Sequence, residues 1–357
     1  MWKITKGFIA AGMVLTLSFV ATACSYLPVF TKKAPEPATP SVSPVIEVSE
    51  DYYGSMPPYK ENQTRGMLSG SGYRIDFSRL ELGLMEIAQE TFPTPDYYFQ
   101  EGQQIKREQA EAWLARTKDN PAGLNPNKGP NLLVNILEHD YLDKDQQKLA
   151  GMVVGLSLSP DYQDGTEQEK QYTAEQLVAK GEQLAARIVQ TVKAQNPGIP
   201  MVIALYQVPD ENSTLIPGHF LATGTVGAEE SSVSKWQMLD EQYYLFPSEE
   251  VEKDYPQAYL QYDKLMRQTQ SYFGEYVGIT GVGRFMNGKL TELTITANAE
   301  YDSRTEVLQF TQFAANGINQ LIDKDVHVNL YVQSINRPLA IYVRPANGEP
   351  YMHIYRN

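Results

Sequence analysis

The sequence predicts an α+β protein of two tandem related units, each an antiparallel sheet with a helix packed on one face in the order hairpin, helix, hairpin. Three observations lead there. Apolar runs of strand length come in pairs around turn residues, two long segments carry apolar residues at helical spacing, and a similar strand run follows each of those segments.

In the first unit, strand runs at 132–137 and 152–158 flank a polar turn. The helix after them opens on Thr173 with Gln176 three residues on, a capping box in which each side chain satisfies a backbone N–H of the other. Its apolar positions, Leu177, Gly181, Leu184, Ala185, Ile188 and Val192, share one face. In the second unit, runs at 278–286 and 290–297 meet at Asn287-Gly288, a dipeptide suited to a tight hairpin because both residues tolerate positive φ. The helix after Ser303 carries Val307, Phe310, Phe313, Ala314, Gly317 and Leu321, and from Phe310 onward it repeats the spacing from Gly181 to Val192. Ile203-Ala204-Leu205-Tyr206-Gln207 follows the first helix and Val328-Asn329-Leu330-Tyr331-Val332 the second. Further strands are expected at 219–226 and 339–344, and the second unit adds 351–355 after Asn347-Gly348.

Ahead of the first unit, Leu80, Leu82, Leu84, Met85 and Ile87 predict a helix from Ser78, and a more polar helix is expected over 103–116. Residues 227–255 read as acidic and loop-like, and Pro256 can start a connecting helix to about residue 273. The expected divisions are a leader over 1–23, a proline-rich stalk and linker over 24–72 whose stretch from Glu50 to Gly72 is a loop able to pack on the body, the first unit with its preceding helices over 73–227, an acidic linker over 228–255 and the second unit over 256–357.

The leader follows from charge and length. Lys3 and Lys6 precede an uncharged apolar run of 17 residues, shorter than the roughly 20 that span a bilayer, which closes on Ala21-Thr22-Ala23 and then Cys24, the only cysteine. This is similar to a bacterial lipoprotein signal, which implies cleavage between Ala23 and Cys24 and a diacylglyceryl group on the Cys24 thiol. Two acyl chains anchor stably where one is marginal, so the expected site is the outer face of the membrane. Pro28, Pro35, Pro37, Pro40 and Pro44 favour an extended stalk.

Composition limits the partners. With 42% hydrophobic and 20% charged residues the chain is globular in type, and 43 acidic against 30 basic residues repel nucleic acid and anionic lipid. With one cysteine there is no disulfide and no thiolate metal cluster. Nothing calls for a cofactor or metal, and no nucleophile-elbow, zincin or phosphate-loop motif marks an enzyme. Glu138-His139-Asp140 has metal-ligand residue types, but neighbours on a strand point to opposite faces, and the stretch reads as a polar strand end. The glycines at 278, 281 and 283 read as a softened hairpin strand. His219, His327 and His353 fall in separate strand runs.

Among 23 tyrosines, Tyr206 and Tyr331 occupy equivalent strand positions opposite Leu205 and Leu330. Beside Tyr331 the same side has His327, Asn329 and Gln333, which makes it wet or ligand-facing. The ordinary reading is a half-buried aromatic on each sheet, and the sharper one is a pair of pseudo-symmetric clefts for a sugar or peptide.

The leader ending in Cys24, the proline stalk and the two units containing IALYQV and VNLYVQS together resemble the CamS family, the sex pheromone lipoprotein precursors of Gram-positive bacteria. The resemblance implies two tandem repeats on a lipid anchor, handled by lipoprotein-processing enzymes. It also implies that the leader's tail, Leu17, Ser18, Phe19, Val20, Ala21, Thr22 and Ala23, is released as a short apolar mating peptide, with Phe19 at the third place and β-branched Val20 next. The folded part would then be non-catalytic, with a small-molecule or peptide ligand of unknown identity. An importer-type receptor closing about 227–255 and a cell-wall enzyme are the competing classes.

Overall fold

The computed structural model describes residues 52–356 apart from 71, 164–168, 211–212, 215–216, 274–276 and 302. The expected leader, Cys24, the peptide from Leu17 to Ala23 and the five stalk prolines lie outside the described residues. All described residues fall in one compact unit, Ile46–Asn357.

The first half runs β1 (Gly54–Ser55), α1 (Phe77–Ala88), β2 (Tyr97–Glu101), α2 (Arg107–Leu114), β3 (Leu133–Asp143), β4 (Leu149–Leu158), β5 (Asp161–Gln163), β6 (Glu169–Gln171), α3 (Ala174–Gln195), β7 (Met201–Gln207), β8 (His219–Val226) and β9 (Lys235–Met238). The second half runs β10 (Glu241–Phe246), α4 (Glu249–Asp254), α5 (Pro256–Phe273), β11 (Val277–Met286), β12 (Lys289–Ala299), α6 (Arg304–Leu321), β13 (His327–Ser334), β14 (Arg337–Arg344) and β15 (Tyr351–Ile354). Two main sheets result, ordered β1-β2-β3-β4-β7-β8-β9 and β10-β11-β12-β13-β14-β15, with β5 and β6 as a separate small ribbon. The class is mixed α+β, as the sequence predicts.

Both sheets are built on the same four-strand centre. A hairpin leads into a long helix, the chain returns as a strand parallel to the one before the helix, and a second hairpin follows. In the first sheet Val154 lies opposite Ile203 and Leu156 opposite Leu205; in the second, Leu293 lies opposite Val328 and Ile295 opposite Leu330. The hairpins are antiparallel as expected, whereas the pair joined through each helix is parallel. The reason is the length of α3 and α6, 22 and 18 residues: each carries the chain back along the whole sheet, so the next strand restarts from the same end.

Each crossover helix is fixed at both ends. Thr173 with Gln176 and Ser303 with Glu306 form complete capping boxes. At the other ends, buried cations satisfy carbonyls that the helix end and neighbouring loops leave open. Lys193 Nζ donates to Ile199, Gly227 and Ala228, and the Arg344 guanidinium donates to Ile318, Ile322, Asp323 and Val326.

The sheets differ in how they are covered, and the sequence pattern states the difference. β3, β4 and β7 are buried almost along their whole length, because α2 and α3 with Met67 cover one face and α1 with Tyr53 covers the other. In β12 burial alternates: Leu293, Ile295, Ala297 and Ala299 pack under α5 and α6, and Glu292, Thr294, Thr296 and Asn298 face outward. At Asn287-Gly288 the φ angles of 51° and 75° supply the turn.

The end of the 24–72 segment packs on the body: Tyr53 and Met67 enter cores, and Asn62 bonds the Glu138 carbonyl. One sequence expectation changes. The expected acidic linker at 228–255 contains β9, β10 and α4, closing one sheet and opening the other. Its acidic residues mask a strand in which Glu241 is buried and paired rather than solvated. Helices α1 and α2 begin and end within a few residues of expectation, and α5 spans the expected range with Pro256 at its first position.

Helix α1 reaches the first sheet because Gly83 faces it without a side chain. A Cβ there would lie 2.2 Å from the ring of Phe220, itself fully buried. Gly83→Ala gains about 1 kcal/mol of helix propensity and loses about 1–3 kcal/mol to overpacking. The expected outcome is a net loss of up to about 2 kcal/mol in urea denaturation; an increase in stability would mean that α1 can shift outward freely.

Candidate functional site

The second sheet's open face meets α1 at one side, and the meeting forms a cleft of about 480 Å³. One wall is Tyr52, Tyr53, Arg79, Leu82, Met85, Glu86 and Gln89; the other is Arg284, Thr291, Glu292, Thr294, His327, Asn329 and Tyr331. Strand alternation explains the second wall: Glu292, Thr294, His327, Asn329 and Tyr331 are the outward residues of β12 and β13, with Glu292 paired to His327, Thr294 to Asn329 and Thr296 to Tyr331. The side chains form a short polar row, with His327 Nε2 3.2 Å from Asn329 Oδ1 and Asn329 Nδ2 donating to Glu292 at 3.4 Å.

The cleft's floor is an ion-pair cluster. The buried Glu241 carboxylate accepts from Arg284 Nε at 2.6 Å, from Arg79 Nη2 at 3.1 Å and from the Phe220 backbone N–H at 2.7 Å. The same two guanidinium groups reach Glu86, at 3.1 Å from Arg79 and 2.9 Å from Arg284, and Arg79 lies over the Tyr243 ring. Burial opposes the charge on Arg79, but Tyr243, Glu86 and Glu241 outweigh it and its pKa rises. The cluster joins α1 and β8 of the first half to β10 and β11 of the second.

A wider groove of about 760 Å³ runs beside residues 66–70 and α2. It is a shallower feature, and its Arg116 is already bonded to the carbonyls of Pro126 and Gly129. The α1 cleft has the richer set of polar groups facing one space.

The structure separates the two tyrosines that the sequence paired. Tyr206 is fully buried beneath α1, edge-on to Phe220, with its hydroxyl pKa pushed up by burial. Tyr331 is 41% exposed at the cleft mouth. The expectation of pseudo-symmetric clefts is therefore corrected: α1 occupies on the first sheet the face that stays open on the second. Cys24 and Leu17 to Ala23 lie outside the described residues.

Glu138, His139 and Asp140 are not a strand end but the buried middle of β3. Glu138 accepts from the backbone N–H groups of Gln104 and Ile105, and Asp140 from Gln103 N and Gln104 Nε2, so the pair pins the entry to α2. His139 packs edge-on against Phe99, and burial holds its pKa down to about 3, so it stays neutral. Among the described residues no cluster of three or more His, Cys, Asp or Glu could hold a metal ion. His219 and His353 lie away from this trio, in β8 and β15.

Sequence reasoning missed Arg79, Glu86, Glu241 and Arg284. Each sits in a segment where a charge is ordinarily solvated, and they meet only through packing of the halves. The nearest signal was Glu86 seven residues after Arg79, two helical turns on the same face of a helix.

Burial raises the pKa of both Glu138 and Asp140, Asp140 to about 6, and the neighbouring Asp140 charge raises that of Glu138 further. The folded state therefore holds protons that the unfolded chain gives up near pH 4, and stability falls as pH rises from about 4 to about 6. Asp140→Asn keeps an acceptor for Gln103 and Gln104 and cannot ionise. Its stability relative to the parent should rise by about 2 kcal/mol between pH 4 and pH 7.5. Thermal melts across that range check it, and a constant difference would show that the pair is ionised throughout. Glu241→Ala leaves two guanidiniums with one half-exposed carboxylate and should cost about 3–5 kcal/mol in urea denaturation, with a loss below 1 kcal/mol contradicting a central role.

Comparison with protein families matches residues 59–350 to the family model described as CamS sex pheromone cAM373 precursor. Among solved structures, a sex pheromone precursor from Lactobacillus salivarius subsp. salivarius UCC118 superposes with a TM-score of 0.77 at 22% identity, covering 87% of this chain and 98% of that one. The C-terminal domain of the sex pheromone staph-cAM373 precursor from Staphylococcus aureus gives 0.69 at 24% identity, covering 78% and 96%. A comparison with curated proteins returned no match. The structural likenesses establish a shared fold, and the family match covers most of the sequence: the chain belongs to the CamS sex pheromone cAM373 precursor family.

Proposed function

We propose that this chain is an exported lipoprotein precursor, tethered through Cys24 to the outer face of the membrane, whose leader yields the peptide from Leu17 to Ala23 as a pheromone. The observation that carries the reading is the position of the single cysteine, directly after Ala21-Thr22-Ala23 and a 17-residue apolar run, in a chain of this family. A thiol at that point can be alkylated, and two acyl chains hold a protein on a bilayer without a spanning helix. Among the described residues no helix is long and apolar enough to cross a membrane.

The folded body serves as a non-catalytic module in this reading. Its buried acid groups already have structural work: Glu138 and Asp140 hold the entry to α2, and Glu241 holds two arginines. The importer-type alternative needs the halves to hinge near 227–255, and the buried Glu241 cluster opposes that motion.

Growth of the native cell with a labelled fatty acid tests the tether. Label is expected on the full chain and is expected to disappear in Cys24→Ser; label that persists in that variant contradicts the assignment. Mass spectrometry of membranes and medium then follows the peptide, with an acylated N-terminal Cys24 and a free fragment ending at Ala23 as the expected products.

A further inference from the structure

We propose that the cleft between α1 and the outer face of the second sheet binds a short stretch of neutral oligosaccharide, clasped between Tyr52 and Tyr331 and hydrogen-bonded by Glu292, Asn329 and Gln89. This site is independent of the lipid anchor and of the released peptide. Its volume of about 480 Å³ lies within the roughly 300–1,000 Å³ of small-molecule pockets.

The lining selects the ligand chemistry in three steps. Anions are disfavoured first. Both guanidinium groups in the cleft are bonded to Glu86 and Glu241, and Glu292 adds a further carboxylate, so the local balance is negative in a chain of formal charge −13. A phosphate or carboxylate group would have to compete with protein carboxylates for those cations.

Peptides are disfavoured next. Binding of an extended peptide to a sheet uses an unpaired strand edge, whereas β12 and β13 are interior strands whose backbone groups are engaged in the ladder on both sides. What the face offers is side chains: a carboxylate acceptor at Glu292, amides that both donate and accept at Asn329 and Gln89, and hydroxyls at Thr291 and Thr294. A run of closely spaced hydroxyl groups, each donor and acceptor at once, matches that set.

The aromatic pair completes the match. Tyr52 is 59% exposed on one wall and Tyr331 41% on the other, so both rings face the same space. A pyranose presents to an exposed aromatic face a flat surface of C–H groups while its hydroxyls point to the rim. The polar row from His327 through Asn329 to Glu292 holds its groups in place before a ligand arrives, which lowers the ordering cost of binding.

The test is isothermal titration of the full-length chain in detergent with tetrasaccharides of β-1,4-linked glucose, β-1,4-linked N-acetylglucosamine and α-1,4-linked glucose. Glycerol phosphate and tetra-alanine serve as anionic and peptidic probes. At least one tetrasaccharide should saturate the protein with Kd below about 1 mM. Tyr331→Ala should weaken that binding about fivefold to tenfold, and Tyr331→Phe, which keeps the ring face, should bind within about twofold of the parent. Melting temperatures of both variants should stay near the parent's, since Tyr331 is a surface residue. The proposal is overturned if none of the three tetrasaccharides binds, if Tyr331→Ala binds as well as the parent, or if only glycerol phosphate or tetra-alanine binds.

Discussion

A single buried carboxylate, that of Glu241, governs how the halves of this protein meet. Transferring a charge out of water costs several kcal/mol unless its lone pairs are filled, and Glu241 fills them from three elements: Arg79 on α1, Arg284 on β11 and the backbone of Phe220 on β8. None of those donors is near it in sequence, so the bonds exist only in the assembled fold. An ion cluster of this kind adds little net stability over a well-packed apolar seam, but it is intolerant of misplacement, because any slip leaves a buried charge without a partner. It therefore fixes the distance and angle between α1 and the second sheet, and with them the width of the cleft.

The same preference for satisfied burial explains β3. Glu138 and Asp140 sit side by side in a sheet covered on both faces, which raises both pKa values, and yet they persist because they collect the backbone and side-chain donors where the chain enters α2. Those donors would otherwise be buried without acceptors, at about 1–3 kcal/mol each. Acid groups that have the residue types of a metal site in the sequence are, in this fold, devices that hold a loop.

What could be read from the sequence was whatever repeats locally. The capping box at Thr173, the Asn287-Gly288 turn, the Pro256 helix start and the matched helix faces all rest on spacings within a few turns of chain, and each is present. The strand orientation was less legible, since a strand's residues do not state which end it starts from; the helix length before it does. The site was the least legible part. Tyr331 was found because its strand alternates, with His327 and Asn329 on the same side, whereas Tyr206 was misplaced because its strand is apolar throughout and so belongs to a sheet with two covered faces. That continuous run, MVIALY against VNLYVQ, already contained the distinction. Arg79, Glu86, Glu241 and Arg284 had no comparable signal, because a charge that is paired across the fold has the same letter as one in water.

The asymmetry between similar sheets is where function can enter. A mixed sheet with both faces packed offers a ligand only its ends, and the first sheet, buried by α1, α2 and α3, contributes rigidity. The second sheet has the same strand order at its centre but one helical layer, so its outward residues are free of core packing and can be chosen for other contacts. Beside Glu292 and the paired Arg284, this outward face carries Thr294, Thr296, Asn329, Gln333 and Tyr331, neutral groups that hydrogen-bond and stack. Beside it α1, held by the Glu241 cluster, supplies the second wall. One half of the molecule thus builds the frame, and the other keeps a face available within it.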